Sequence, residues 1–424
     1  MSIEVGMILD VSGNSWADKA HALDRYRWRR LRERHSWLGS LLRFGRDACA
    51  DWFFGWRAQA CLAAEVVAEP CDFLLLQSAS KVIPLQRKKL LIAALRASGH
   101  SLVETALQVP ATILGQRLLK HPQQPVPLRY FGYAAHAEWL VAHHQPKILL
   151  NDRNGSLYAP FLRLALNRRH HLLVHLAHAT TVESSSRLGM NDYDYYFMFG
   201  RSSLEALQSR PLRFGSSNAV LSGSHMIDVA YDLPPTDPER QVLLVLGVGP
   251  DKEKERGYQR TYALLRDWAA QHPEYQVLIK AHPRSQVSFW HGAATALPNV
   301  QVLDRGVGLA AALEQASIVV SIMSNAVIEA ALAQRPVIYV NVGEHHDIFS
   351  QERFLGERVT TAAELAERVV WIQRNYQQCL ERARNFAEFH LAHGVEGLDT
   401  TIGLLVDLLQ AEPVPSQVLE GTVQ

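Results

Sequence analysis

Two short polar segments in the second half of the chain combine residue types that suit the binding of a phosphate group. In the segment GVGPDK, Gly247 and Gly249 would let a ligand approach the backbone closely, since glycine has no side chain. The segment KAHPRS brings together three hydrogen-bond donors and a proline that fixes the turn: Lys280, His282, Pro283 and Arg284. Basic donors of this kind neutralise a phosphate through charge-assisted hydrogen bonds. The two segments therefore predict a site for an anionic ligand.

A third segment, SIMSN, has the composition of a helix start. Ser321, Ser324 and Asn325 precede an apolar helical pattern, and the exposed amides of a first helical turn favour an anion. Glu329 lies one turn into that helix, where its carboxylate is suited to accept hydrogen bonds from ribose hydroxyls. A His-Pro turn and a Ser-Asn cap are also common without any ligand. Their coincidence at successive strand ends favours a pocket for a nucleotide (di)phosphate.

Two side chains in the first half of the chain are candidates for a general base. Asp152 lies in NDRNG and His178 lies in HLAHATT, each just after an apolar run. A base at such a position removes the proton of an acceptor hydroxyl as the bond to the donor breaks. A turn acid and a hydrogen-bonded structural histidine are the alternatives, and we favour Asp152 as the base. Glu183 and Arg187, in the loop that follows, are suited to hold an anionic acceptor.

The elements that must position these groups are strands alternating with helices. Apolar runs of strand length occur at 72–78, 146–156, 172–180, 194–200, 240–250, 275–285, 299–304, 317–324 and 336–342. Parallel strands need crossover helices, so this alternation predicts an α/β fold with parallel sheets, in which ligands bind beyond the carboxyl ends of strands. The proline-rich stretch at 232–240 predicts a linker between two halves. Two helices, 362–390 and 398–410, are expected to end the chain before a mobile tail.

The N-terminal stretch 21–62 is basic and aromatic. It contains the run RYRWRRLRER, and the following residues recur at helical spacing: Trp28, Leu31, His35, Leu38 and Leu42. A basic helix with aromatic neighbours is typical of proteins that lie on an anionic membrane surface. A helix that packs on the main domain and exposes a solvated arginine face is the alternative. Both interpretations stay open from the sequence.

Composition excludes several classes of protein. The 424 residues include 43 Lys and Arg against 42 Asp and Glu. A protein that wraps nucleic acid normally has an excess of basic residues, so this balance argues against that function. The four cysteines form no CxxC pair, and neither HExxH nor a carboxylate cluster occurs, so no metal site is predicted. GxxxxGK[ST] and GxGxxG are absent. The N-terminus has no signal-peptide pattern and no run reaches the roughly 20 apolar residues of a membrane span. We expect a cytoplasmic protein, at the inner face of the cytoplasmic membrane if 21–62 binds there.

Taken together, the two α/β halves, the linker, KAHPRS and SIMSNAVIEAALAQRPVIYV resemble glycosyltransferases of the GT-B fold. More narrowly, they resemble bacterial capsule and surface-polysaccharide transferases, including CMP-sugar polysialyl- and Kdo-transferases and CDP-glycerol glycerophosphotransferases. The resemblance covers about residues 70–390 in architecture. It implies that His282 and Pro283 contact the donor phosphate and that Ser321, Ser324 and Asn325 bind phosphate.

The resemblance extends to both candidate bases, with departures. The loop of Asp152 is similar to the acid-before-glycine loop of bacterial sialyltransferases, although Arg153 and Asn154 separate the acid from Gly155. His178 is similar to the loop histidine of the glycerophosphotransferase group, with Ala179 in place of the usual glycine.

The resemblance also implies a mechanism. Retaining relatives carry a second glutamate about eight positions before the one matched by Glu329, and Ser321 stands there. This implies an inverting displacement in which Lys280, His282, Arg284 and the helix start at Ser324 take the place of a divalent metal. No cofactor is expected. The substrates would be a nucleotide-sugar donor, preferably a CMP-activated acidic sugar such as Kdo or sialic acid, and a bacterial surface glycan or lipid-linked acceptor.

The predicted fold class is α/β of the GT-B type, with two Rossmann-like lobes, parallel sheets and an N-terminal helical extension. We assign 1–70 to the extension, 71–235 to the acceptor side, 236–390 to the donor side, and 391–424 to a C-terminal helix and tail. Two alternatives share this architecture or composition. One is a UDP-sugar 2-epimerase, which would need no acceptor and no membrane contact. The other is a non-catalytic polysaccharide-binding or assembly protein.

Overall fold

Strands and helices alternate along the chain. The structure, a computed structural model, describes residues 15–180, 186–343 and 345–422. The strands of these residues are β1 Phe73–Gln77, β2 Leu102–Ala106, β3 Ile148–Asn151, β4 Leu172–Leu176, β5 Tyr195–Met198, β6 Ser217–Leu221, β7 Val242–Leu246, β8 Gln276–Lys280, β9 Val300–Val302, β10 Ile318–Ser321, β11 Val337–Tyr339 and β12 Gln417–Leu419.

Helices connect nearly all of these strands. They are α1 Trp16–Arg32, α2 Trp37–Ala60, α3 Lys89–Ala97, α4 Pro110–Gly115, α5 Leu128–His144, α6 Ala159–Asn167, α7 Arg201–Gln208, α8 Pro250–Glu253, α9 Arg256–Gln271, α10 Ser288–Ala296, α11 Leu309–Gln315, α12 Ala326–Leu332, α13 Gln351–Leu355, α14 Ala362–Arg374, α15 Tyr376–His390 and α16 Gly397–Leu409. Within the residues that the structure describes, none of the helices has the length and apolar content needed to cross a membrane.

The chain forms two compact units. The first unit comprises Met1–Met226 together with Leu398–Gln424, and the second comprises Ile227–Gly397. Each unit is built on one sheet. The strand order is β12-β6-β5-β4-β3-β1-β2 in the first unit and β11-β10-β7-β8-β9 in the second. All pairs are parallel except that between β12 and β6.

The central strands are apolar because helices cover both faces of each sheet. Every residue of β1, β3 and β10 is buried. In the first unit, Phe73 and Leu75 pack with Leu91 of α3 and Leu405 of α16. In the second unit, the core includes the fully buried Trp268 and Trp290. The α/β fold with parallel sheets is therefore confirmed.

β2, β6 and α5 are among the elements that were not predicted from the sequence. β2 (LVETA) and β6 (SNAVL) are short and partly polar, so neither forms a long apolar run. α5 shows no single apolar face because it is buried on nearly all sides, His136 and Glu138 included. Two predicted helices are also interrupted. The stretch 362–390 is two helices that meet at Asn375, and the pattern at 28–42 spans a turn before Ser36, which caps α2.

The prediction of a mobile C-terminal tail was wrong. β12 pairs antiparallel with β6, with Val418 opposite Asn218, and Leu419 is buried. The backbone N–H of Thr422 donates to the Arg213 carbonyl at 3.0 Å. β6 is the last parallel strand on one side of the sheet, and the backbone groups on its outer side offer a template for one more strand. Residues 423–424 lie outside the described part of the chain.

Candidate functional site

The second sheet brings the three predicted phosphate-binding segments to one edge. GVG follows β7, KAHPRS begins at the end of β8, and SIMSN begins at the end of β10. These strands are parallel neighbours, so their carboxyl ends lie together. The chain adds β8 and β9 on one side of β7 and then β10 and β11 on the other. Such a reversal between β7 and β10 is the place where open α/β sheets bind ligands.

Gly247 holds the ends of β7 and β8 together. Its N–H donates to the Lys280 carbonyl at 2.9 Å, and a Cβ at this position would lie 2.9 Å from the backbone nitrogen of His282. Gly249 precedes the short helix α8, and a Cβ there would lie 4.0 Å from the Arg284 guanidinium. Gly247 is thus required by packing, and Gly249 leaves space beside a charged donor.

The imidazole of His282 is fixed in one tautomer. The backbone N–H of Arg284 donates to its Nδ1 at 3.2 Å, so the neutral ring carries its proton on Nε2. Burial and the charge of Arg284 lower the pKa of His282, while Glu253 acts in the opposite direction. The ring is therefore neutral near pH 7. It offers one N–H donor, as a phosphate contact requires.

Lys280 and Arg284 lie at this edge without carboxylate partners. In the residues that the structure describes, neither side chain forms an ion pair. Burial lowers the pKa of the half-buried Lys280 amine, and no neighbouring charge contributes. Arg284 is exposed, as is Pro283. An anion bound here would supply the charge compensation that the protein does not.

The segment after β10 contributes one unsatisfied hydroxyl. Ser321 is fully buried, and its Oγ has no hydrogen-bond partner among the described residues, although buried hydroxyls ordinarily have one. Ser324 Oγ accepts from the Ala326 N–H at 3.4 Å. Asn325 is exposed and its side chain does not cap α12. Ser321 and Ser324 are therefore the polar groups that this strand end orients.

Glu329 lies half-buried in the first turn of α12. Its Oε2 is buried and bonds to no other group in the described chain. Burial raises the pKa of Glu329 to about 7. The same carboxyl contributes, after burial, to raising the pKa of Tyr231 to about 12. Glu329 thus lies near the Tyr231 phenol. Its carboxyl group needs either a bound proton or a hydroxyl donor to balance its burial.

The carboxyl edge of the first sheet presents a different arrangement around Asp152. Asp152 follows β3, and its Oδ2 accepts from the Nζ of Lys88 at 2.6 Å. The two side chains are only 7% and 2% exposed. The second oxygen, Oδ1, is buried and has no partner among the described residues. Asp152 is therefore held in a buried ion pair that the sequence analysis did not anticipate.

His175, on β4, is a structural histidine. Asn151 Nδ2 donates to its Nδ1 at 3.0 Å, and its Nε2 donates to Asn154 Oδ1 at 2.8 Å. The ring stacks on Tyr193 at 4.3 Å and meets the edge of Tyr196 at 4.6 Å. Burial is the main cause that holds the pKa of His175 well below its usual range. These bonds fix the loop that carries Asp152.

His178 and His225 approach the same edge from two strand ends. His178 is exposed after β4, whereas His225 follows β6 and is only 1% exposed. Burial lowers the pKa of His225 to about 3, with contributions from Lys88 and His178. The Nε2 of His225 is buried without a partner in the described chain. The groups that act on one another here are therefore Lys88, Asp152, His178 and His225.

Arg187 lies beside the loop of Asp152. Gly155 has a φ of +68°, and a Cβ on it would lie 3.1 Å from the Cβ of Arg187. Arg187 itself is exposed. Glu183, predicted as its companion, lies outside the described residues.

Lys88, His175 and His225 were not predicted from the sequence as members of this cluster. Lys88 comes just before α3, in a stretch with several basic residues and no distinctive spacing. His225 follows β6, so missing that strand also hid its terminal polar residues, SGSH. In the second half of the chain, polar residues that follow a strand were assigned to the candidate site. The same rule, applied to the first half, is the signal in the sequence that points to His225.

The cysteines do not take part in either group. All four are unpaired, and Cys71 and Cys379 are buried. In the part of the chain that the structure describes, no three His, Cys, Asp or Glu side chains are grouped so as to hold a metal ion.

Comparison with solved structures places both units in the GT-B type of fold. S. aureus MnaA with UDP aligns with a TM-score of 0.52 at 10% identity, over 82% of this chain and all of that one. The Neisseria meningitidis UDP-GlcNAc 2-epimerase bound to UDP-GlcNAc aligns with a TM-score of 0.50 at 11% identity, over 81% and 100% of the chains. Acinetobacter baumannii MurG aligns with a TM-score of 0.48 at 13% identity, over 80% and 99%.

The similarity to known proteins is confined to structure. No family model matches the sequence, and no curated protein matches it. At the 10% and 11% identity of the MnaA and Neisseria meningitidis structures, the shared feature is the fold, two Rossmann-like units of parallel strands and helices. The GT-B type predicted from the sequence is thus confirmed.

Proposed function

We propose that the chain is a glycosyltransferase that uses a nucleotide-sugar donor. The observation that carries the proposal is the edge of the second sheet, where Lys280, His282 and Arg284 lie at a strand-order reversal. Among the described residues neither Lys280 nor Arg284 forms an ion pair, and Glu253 is the carboxylate that acts on His282. An uncompensated basic cluster at a ligand-binding position suits a diphosphate or monophosphate leaving group. Related ligands are named for two of the similar structures: the nucleotide UDP for one and the nucleotide sugar UDP-GlcNAc for the other.

The second unit would bind the donor. His282 donates from Nε2 to a phosphate oxygen, and Lys280 and Arg284 balance the charge that develops when the bond between the anomeric carbon and the phosphate oxygen breaks. The electron pair of that bond passes to the phosphate oxygen. Gly249 leaves space for the phosphate beside Arg284. The Ser321 hydroxyl and the Glu329 carboxyl are the buried groups that donor hydroxyls would satisfy. In this mechanism the basic side chains act without a metal.

The first unit would activate the acceptor hydroxyl, and we assign the base to His178 rather than Asp152. Asp152 Oδ2 already accepts from Lys88 Nζ at 2.6 Å, and the Asp152 side chain is only 7% exposed, so an acceptor hydroxyl has little access to it. His178 is exposed at the same edge, where an acceptor hydroxyl has access to it. The acceptor oxygen then attacks the anomeric carbon while His178 takes its proton, which inverts the configuration. The Lys88–Asp152 pair positions the loop.

The donor and acceptor identities form the finer part of the proposal. The sequence resemblance supports a CMP-activated acidic sugar as the donor and a bacterial surface glycan or lipid-linked glycan as the acceptor. The basic and aromatic composition of residues 21–62 supports peripheral membrane contact. The UDP-containing similar structures support a UDP-sugar as the second candidate, and with it the 2-epimerase alternative. An epimerase would turn over the nucleotide sugar alone, whereas the transferase requires an acceptor.

A nucleotide panel tests the donor site. Thermal shifts with CMP, CDP, UDP and GDP should show one preferred nucleotide, and we expect a cytidine nucleotide to give the largest shift. His282→Ala should abolish the shift, because the neutral ring supplies one of the phosphate contacts. His291→Ala is the matched control, since His291 is an exposed histidine of the same unit on α10. A binding or assembly protein would respond to none of the four nucleotides, and that result would contradict the proposal.

The assignment of the base is tested by turnover with donor and acceptor. His178→Gln should lower kcat by about 100-fold or more while the nucleotide shift is retained, as expected for loss of a general base. An unchanged rate in His178→Gln would exclude it as the base. Turnover of the donor without acceptor would favour the epimerase.

A further inference from the structure

The outward face of α2 carries an unusual concentration of exposed apolar side chains. Of the 14 large hydrophobic residues exposed in the described chain, seven lie on this single helix. They range from 43% to 67% exposed: Trp37, Leu38, Leu41, Leu42, Trp52, Phe53 and Trp56. We call these seven residues the α2 apolar face. Scattered exposed leucines are ordinary in proteins, but a contiguous set of this kind marks an interaction surface.

The α2 apolar face follows one side of the helix. Positions 38, 42, 45, 49, 52 and 56 succeed one another at intervals of four or three, which places them in a single stripe. Gly45 and the exposed Cys49 lie within the stripe and leave it uninterrupted by charge. The buried residues Asp51, Phe54 and Ala58 lie on the opposite side. The stripe is therefore directed away from the core.

The opposite side of α2 is fixed firmly to the first unit. Asp51 accepts from Arg27 Nη1 at 2.7 Å, from Tyr133 OH at 2.8 Å and from Arg129 Nε at 3.3 Å. A Cβ at Gly55 would lie 1.8 Å from the Leu128 carbonyl oxygen, so only glycine allows this approach of α2 to α5. The inner face is thus bonded and closely packed. The outer apolar face is presented by a helix that cannot turn it inward.

Arginines line one side of the α2 apolar face. Arg43, Arg46 and Arg57 are exposed and follow the stripe around the helix, and Asp47 is the acid among them. Arg29, Arg32 and Arg34 are exposed at the end of α1 and just after it, directly before α2. Aromatic and leucine side chains flanked by arginine are the composition of helices that lie in the interface of an anionic bilayer.

We infer that α2 docks the protein on an anionic lipid surface, with the α2 apolar face buried in the interface and the arginines on the lipid headgroups. α2 does not cross the bilayer, because no described helix is apolar enough. A second copy of this chain fits the same face less well, since pairing would bring like-charged arginine rows together. The inference rests on α1 and α2 alone and does not depend on the nucleotide site.

Vesicle flotation of the full chain tests this inference. The wild type should float with vesicles of phosphatidylcholine and phosphatidylglycerol, and less with phosphatidylcholine alone. Trp52→Ser with Phe53→Ser and Trp56→Ser should reduce the bound fraction by about tenfold or more, because the apolar anchors are lost. Arg43→Gln with Arg46→Gln and Arg57→Gln should remove the preference for phosphatidylglycerol.

The control is Val67→Ser with Val370→Ser, two valines that are 69% and 43% exposed and lie outside the α2 apolar face. This variant should float as the wild type does. Flotation of the Trp52, Phe53 and Trp56 variant at the wild-type level would overturn the inference. A second result would also overturn the inference: light scattering shows that the wild type is a dimer and this variant a monomer, and neither protein floats with vesicles. The nucleotide thermal shift should be equal in all variants, so vesicle binding and donor binding are scored separately.

Cys49 offers a second measurement that needs no change to the aromatic residues. It is exposed within the stripe, whereas Cys71 and Cys379 are buried and Cys61 is half-buried. In a Cys61→Ser variant, a polarity-sensitive dye on Cys49 should shift to shorter emission wavelength on anionic vesicles. An unchanged emission spectrum on vesicles that carry the protein would contradict burial of this face.

Discussion

The carboxyl edges of the two sheets differ in how their basic groups are compensated. In the first unit, the amine of Lys88 is 2.6 Å from the Asp152 carboxylate, and the two are almost fully buried. In the second unit, Lys280 and Arg284 have no carboxylate partner within the described residues, and Lys280 is half-buried. The charges at the first edge are therefore paired within the protein, whereas Lys280 and Arg284 at the second edge have no such partner among the described residues.

This difference separates two kinds of polar cluster that look alike in a sequence. A buried pair is maintained because each charge would be costly without the other, so it positions a loop. A cluster of one sign is tolerated only where solvent or a ligand balances it, so it indicates binding. Substitutions at the first edge should therefore act mainly on stability, and substitutions at the second mainly on affinity.

The largest effect is expected from breaking the pair at the first edge. Lys88→Met leaves the Asp152 carboxylate buried without its partner, since the side chain of Asp152 is 7% exposed. We expect a loss of about 3–5 kcal/mol in the free energy of unfolding, measured by urea denaturation. Lys88→Met with Asp152→Leu should recover most of that loss. A single variant as stable as the wild type would show that the first edge is not held by this pair.

A smaller effect is expected from the buried acid of the second unit. The pKa of Glu329 is raised to about 7 from its ordinary value of 4.5, so the folded protein holds its proton more tightly than the unfolded chain does. The stability that this group contributes is full below about pH 4.5 and is lost as pH rises through about 7. Relative to Glu329→Gln, the wild type should lose about 3 kcal/mol between pH 4.5 and pH 8. Parallel pH profiles of unfolding would contradict a buried carboxyl.

Gly247→Ala tests the close approach of β7 and β8 at the second edge. The added methyl group would lie 2.9 Å from the His282 nitrogen and 3.0 Å from the Lys280 carbonyl oxygen, so the backbone must shift. We expect a loss of about 1–3 kcal/mol in stability together with a weaker nucleotide response. Gly292→Ala is the control, because nothing lies within 4 Å of a Cβ there and Gly292 is inside α10. Equal nucleotide shifts in the two variants would argue against a site at this edge.

The sequence predicted the second edge better than the first, and the reason is local. Lys280, His282 and Arg284 lie within one segment directly after a long apolar strand, so one rule located all three. The first edge joins Lys88 to Asp152 across 64 positions, and His225 follows a strand too short and polar to recognise. Ion pairs between distant segments depend on which strands become neighbours, and single-sequence patterns do not fix that order. The tail was mispredicted for the same reason, because β12 exists only as a partner of β6.

The smallest effect on stability, and the sharpest test of the comparison, is expected at Arg284. Its side chain is exposed and unpaired in the described chain, so Arg284→Gln should change the free energy of unfolding by no more than about 0.5 kcal/mol. The same substitution should weaken nucleotide binding clearly, and should also make it less sensitive to salt, because one charge–phosphate contact is lost. Arg266→Gln is the control, since Arg266 is an exposed arginine of the same unit that already contacts Asp267 at 2.6 Å. Titration calorimetry at low and high salt measures both quantities. If Arg284→Gln and Arg266→Gln bind nucleotide equally well at both salt concentrations, the uncompensated charge of the second edge has no role in binding.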